Sequence, residues 1–161
     1  MTDKNKVVNV TFAGIGGQGV LKASDILAEA VFAAGLDVKK SEVHGMSQRG
    51  GSVSSEVRYG VKVHSPMVPD GESDYLVVLA EDQVEVNRYK LRPGGVLITP
   101  ADVGADKLEN AKCLNVALLG CLSRYLEIDE KYWLKALADN LPAKVLELNT
   151  RIFKEKAASG N

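Results

Sequence analysis

The chain has 161 residues, 45% hydrophobic and 25% charged, with 20 basic side chains against 21 acidic ones and a net charge of -1. That length buries one core without staples, and the composition is that of an ordinary globular protein. The balanced charge excludes a broad polyanion-binding face, so nucleic acid is not an expected partner. No apolar run approaches the ~20 residues of a membrane span, and Met1 to Lys6 carries no leader-like apolar core, so the expected location is the cytoplasm.

Val7 to Ala13 is β-branched and almost continuously apolar, the pattern of a central strand buried on both faces. It breaks into Gly14-Ile-Gly-Gly-Gln-Gly19, and a helical pattern follows with Val20, Ala23, Leu27, Ala30 or Val31, and Ala34 on one face. Gly35 ends that helix and Leu36 to Glu42 reads as a second strand, completing a βαβ opening. A glycine-rich polar loop spans His44 to Gly51. Ser52 to Tyr59 alternates as a strand, with Val61 to His64 expected as its short hairpin partner. Pro66, Pro69, Asp70 and Gly71 mark a loop, and Asp74 to Ala80 reads as another core strand. Glu81 to Leu91 is a polar surface helix closed by Pro93-Gly-Gly95, and Val96 to Thr99 a last strand.

The final third is helical. Leu114 to Leu126 is an apolar helix whose internal Gly120 implies a close approach by a neighbour. Asp129 is placed to cap Glu130 to Asn140, and Pro142 opens a helix to about Lys156 with Val145, Leu148 and Ile152 as its stripe. The expected architecture is a single Rossmann-like α/β domain: a doubly wound, mostly parallel sheet over 6–100, with C-terminal helices over 113–157.

Chemistry-bearing residues are few. Two histidines, His44 and His64, exclude a three-histidine metal site, and Cys113 and Cys121 have no metal-ligand spacing and read as small buried hydrophobes. Trp133 and Tyr132 read as packing groups. The informative pattern is G-x-G-x-x-G at a strand-to-helix turn, where backbone N–H groups and the helix dipole favour an anion. One interpretation is a nucleotide site, with Glu42 on a ribose hydroxyl. The His44 to Gly51 loop adds an arginine beside two glycines, a guanidinium with an adaptable backbone nest.

Gly14-Ile-Gly-Gly-Gln-Gly-Val20 followed by Ser41-Glu-Val-His-Gly-Met-Ser-Gln-Arg-Gly-Gly-Ser52 resembles the gamma-type subunits of 2-oxoacid:ferredoxin oxidoreductases, nearest to those of the indolepyruvate branch. Ser65 to Gly71, Asn115 to Gly120 and Leu148-Asn149 support the likeness, which runs from Val7 to about Phe153. The chain departs from the pattern between Pro100 and Leu114, where the family usually carries a longer segment. The resemblance implies a complex that decarboxylates a 2-oxoacid on thiamine diphosphate, passes electrons through iron–sulfur clusters to ferredoxin and transfers the acyl group to coenzyme A. It implies that the thiamine and clusters belong to partner polypeptides, and that this chain is inactive alone and has no catalytic residue of its own. Gly14, Gly16, Gly17, Gln18, Gly19, His44, Gly45, Ser47, Gln48, Arg49, Gly50 and Gly51 are then the residues expected to face a ligand or a partner. The alternative is a stand-alone module for NAD(P), FAD or a mononucleotide.

Overall fold

The computed structural model describes residues 6–44 and 51–159. Its frame is a five-stranded sheet in the order β2-β3-β1-β4-β5, built from β1 (Val8–Ile15), β2 (Asp37–His44), β3 (Ser52–Gly60), β4 (Ser73–Val78) and β5 (Leu91–Ile98). β1, β4 and β5 run parallel, while β3 runs antiparallel to both β1 and β2. The sheet is thus mostly parallel, with one reversed strand inside it. The expected βαβ opening is corrected in one respect: β2 does not lie beside β1, because β3 is inserted between them.

α1 (Val20–Ala33) crosses from β1 to β2 and buries Val20, Ala23, Ile26, Leu27, Ala30 and Val31. Gly35 closes it as expected: the Gly35 N–H donates to Phe32 O and the Leu36 N–H to Val31 O, a Schellman pair. α3 (Leu114–Ser123), α4 (Glu130–Asn140) and α5 (Ala143–Ala158) share one large apolar cluster with α1 and with Val10, Phe12, Val57, Tyr59, Val77 and Ile98 of the sheet. Within it, Trp133 and Phe153 meet at 5.4 Å between ring centroids, so Trp133 is a core residue. Gly120 explains itself here: a Cβ on it would stand 2.6 Å from the Phe153 carbonyl oxygen, so α3 and α5 touch backbone to backbone.

The opposite face is covered thinly. Its cluster is Ala13, Leu76, Val78 and Val84, flanked by Leu91 and Leu97. Residues 81–90 form a 3-10 turn, the four-residue α2 (Val84–Asn87) and a second 3-10 turn.

Several local expectations shift. Val61 to His64 forms no strand; the Val63 N–H donates to Asp37 Oδ2 at 2.8 Å, which ties the segment down without a ladder. β5 begins at Leu91, five residues before the expected Val96, because Pro93 to Gly95 is absorbed as a register shift between the Ser73–Leu91 and Tyr75–Val96 pairs. α3 ends at Ser123, short of Leu126. Asp129 occupies the cap position of α4 without using its side chain, since Tyr132 N–H donates to the Asp129 backbone oxygen. Pro142 stands just before α5. The segment between Pro100 and Leu114 folds as three 3-10 turns, the first closed by a Thr99–Asp102 capping box.

Candidate functional site at the carboxyl rim of the sheet

β1 and β2 point the same way, so both of the loops singled out above leave the sheet at one rim. The β1–β3 register pairs Ile15 with Ser52, and the β2–β3 register pairs His44 with Val53. The glycine turn and the end of the second loop meet directly, since the Gly16 N–H donates to the Gly51 oxygen at 2.9 Å. Gly45, Ser47, Gln48, Arg49 and Gly50 lie outside the described residues, as does the side chain of His44.

The turn is held from inside. Gln18 folds back: its Oε1 accepts from Ile15 N–H at 2.8 Å and its Nε2 donates to the Leu79 oxygen at 3.3 Å. The side chain expected to face a ligand therefore braces the ends of β1 and β4. A Cβ on Gly14 would sit 2.8 Å from that same Gln18 oxygen and 2.9 Å from Val20, so Gly14 makes room for packing. Gly19 has φ of 86°, in the left-handed region, and its oxygen accepts from Ala23 N–H and from Asn115 Nδ2 at 3.3 Å. Asn115, whose neighbourhood carried part of the family likeness, thus pins the start of α1 from α3.

What the turn leaves open is the helix end itself. α1 has no side-chain cap and no acid in its first turn. Its first N–H groups have no partner within the helix and carry the positive end of the dipole. They border a cleft of about 340 Å³ lined by Ile15, Gly16, Gly17, Lys22 and Val53 among others. Lys22 and Val53 escaped the motif-based reading. A signal existed for Lys22: a cation in the first turn of a helix opposes the dipole, a local conflict that often marks a functional position.

Glu42 shares the Lys40 ammonium with Asp25, at 2.9 Å from its own carboxylate. Burial works to lower the Lys40 pKa, but the hydrogen bonds to Asp25 and Glu42 outweigh it and hold the ammonium above its ordinary value. In a dinucleotide site the acidic residue ends the strand next to β1. Here β3 sets β2 about 10 Å from β1, two strand spacings away. Two buried thiols, Cys113 and Cys121, cannot supply the ligands of an iron–sulfur cluster, and no other group of metal-binding side chains assembles among the described residues. No helix among them is long and apolar enough to cross a membrane.

The fold and the site are those of an α/β domain whose glycine turn opens onto an uncapped helix end at the carboxyl rim of its sheet. Residues 9–105 match the family model described as pyruvate ferredoxin/flavodoxin oxidoreductase. The indolepyruvate oxidoreductase subunit IorB of Thermococcus kodakarensis is 33% identical over 92% of this chain and 94% of that protein. The chain belongs to this oxidoreductase family, whose members similar to it are subunits of multi-chain enzymes. Its fold is shared with the keto/oxoacid ferredoxin oxidoreductase gamma subunit of Geobacter sulfurreducens, at a TM-score of 0.76 and 22% identity over 94% of both chains. It is shared too with the 2-oxoglutarate:ferredoxin oxidoreductase of Magnetococcus marinus, solved with 2-oxoglutarate, coenzyme A and succinyl-CoA bound, at a TM-score of 0.83 and 22% identity. There the likeness covers 96% of this chain but 31% of the other.

Proposed function

We propose that this chain is the gamma-type subunit of an indolepyruvate-class 2-oxoacid:ferredoxin oxidoreductase. In this reading a larger partner carries thiamine diphosphate and the iron–sulfur clusters and reduces ferredoxin. This chain supplies the rim made by Gly14 to Gly19 and His44 to Gly51, facing that partner and the approach of coenzyme A. The observation that carries it is the uncapped N-terminus of α1 beside Lys22, joined through the Gly16–Gly51 hydrogen bond to the end of the second loop. Such an end receives phosphate or carboxylate oxygens through backbone donors. The chain's part is to bind and orient, while the bond chemistry belongs to the partner.

The test is the reconstituted complex with Lys22→Glu, an exposed position whose reversal leaves the fold intact. The KM for coenzyme A is expected to rise roughly tenfold, with the 2-oxoacid KM nearly unchanged. Wild-type coenzyme A kinetics in the variant complex would overturn the assignment of the rim. Calorimetry on the isolated chain separates the alternative: micromolar binding of NAD(P), FAD or a mononucleotide would favour a stand-alone module.

A further inference from the structure

Two side-chain amides touch the glycine turn from behind, and neither lines the cleft at the rim. Asn115 stands in the first turn of α3 and is 8% exposed. Its Oδ1 accepts from Val116 N–H at 2.9 Å, which leaves Nδ2 to donate to the Gly19 oxygen, 96 residues away in the chain. Gly19 admits this donor because it has no Cβ, which would fall 2.5 Å from Nδ2. In Gln18, Oε1 is likewise taken by Ile15 N–H, so Nε2 faces the Leu79 oxygen.

The peptide unit joining Gly19 to Val20 is planar, so its C=O and N–H point in opposite directions. Ala23 N–H and Asn115 Nδ2 together hold the C=O, and the Val20 N–H is thereby aimed out of the helix start, towards the cleft that Val20 lines. The Gly17 and Gly19 N–H groups on either side of Gln18 donate to nothing among the described residues. We propose that Asn115 and Gln18 are positioning residues for the rim, paired amides that hold the open N–H groups of Gly17, Gly19 and Val20 in one fixed arrangement for a phosphate or carboxylate oxygen. The inference rests on the rim reading above and adds the side chains that set its geometry. Donors fixed in advance bind an anion without an ordering cost at the moment of binding. Neutral amides suit the task. A carboxylate at either position would set oxygen against the Gly19 or Leu79 oxygen and put a negative charge behind the site.

The experiment takes the reconstituted complex with Asn115→Leu or Gln18→Met, neutral replacements of similar size that remove the amide. It reads the Kd of coenzyme A by calorimetry, the KM values for coenzyme A and the 2-oxoacid, and the thermal midpoint. At a temperature where circular dichroism shows the variants folded, the Kd and KM for coenzyme A are expected to rise roughly fivefold, with the 2-oxoacid KM nearly unchanged. Residues that served stability alone would lower the midpoint and leave coenzyme A affinity as it was, so folded variants with wild-type affinity would overturn the proposal. If Asn115→Leu does not fold, Gln18→Met decides; if neither folds, the amides are structural and the proposal falls. Lys22→Glu separates this inference from the reading beneath it. Coenzyme A affinity weakened in Lys22→Glu but kept in the amide variants sinks the positioning role alone, whereas wild-type affinity in all three sinks the rim with it.

Discussion

The two faces of the sheet differ in depth of cover. On one, α1, α3, α4 and α5 bury Phe12, Leu27, Leu118, Leu122, Trp133 and Phe153 in a single cluster. On the other, a four-residue helix between two 3-10 turns covers Ala13, Leu76, Val78 and Val84, and leaves Val86 and Tyr89 in solvent. The first face thus carries the larger share of the buried apolar contacts, and the second the smaller.

Truncations break this comparison most sharply. Phe153→Ala on the thick face should cost about 3–5 kcal/mol, whereas Val84→Ala on the thin face should cost about 2 kcal/mol or less; urea denaturation of both variants measures the gap. Equal losses would mean that the faces contribute alike. Next in size is Gly19→Ala at the rim. Its positive φ and a Cβ that would fall 2.5 Å from Asn115 Nδ2 set an expected loss of about 2 kcal/mol, with the α1 end displaced. Retention of wild-type stability there would show that the turn is looser than its hydrogen bonds imply.

The smallest effect concerns the edge strand. Lys40 joins Asp25 of α1 to Glu42 of β2, and its folded-state pKa lies above the ordinary 10.5. The stabilisation is therefore complete below that pH and is lost as pH rises through the higher folded-state value. Lys40→Met should cost about 0.5–1 kcal/mol at pH 8, and the difference from wild type should shrink as pH climbs past 10.5. A difference that stays constant with pH would show that the lysine acts through packing alone.

Much of the frame was legible in the residues. The continuous apolarity of Val7 to Ala13 and Asp74 to Ala80 marked the central strands, and Gly35 marked a helix end, because burial on both sides and a left-handed cap each leave a local trace. Gly120 marked a close helix contact for the same reason. The order of strands left no trace: nothing local says that Ser52 to Gly60 slips between two strands made earlier. At the rim, the glycines were found but their division of labour was not. Gln18 looked like a polar ligand residue and proves to be a brace, because its partners, Ile15 N–H and Leu79 O, come from two different strands.

The inserted strand has a consequence for how the molecule is made. β1 and β2 share no hydrogen bonds, and each takes β3 as a neighbour. When a ribosome has delivered only the first 44 residues, two ready strands and a helix have no ladder to join. β1 stays without a ladder on one edge until β3 has been made, and on the other until β4 has. The non-local pairing of β1 is therefore among the later contacts to form.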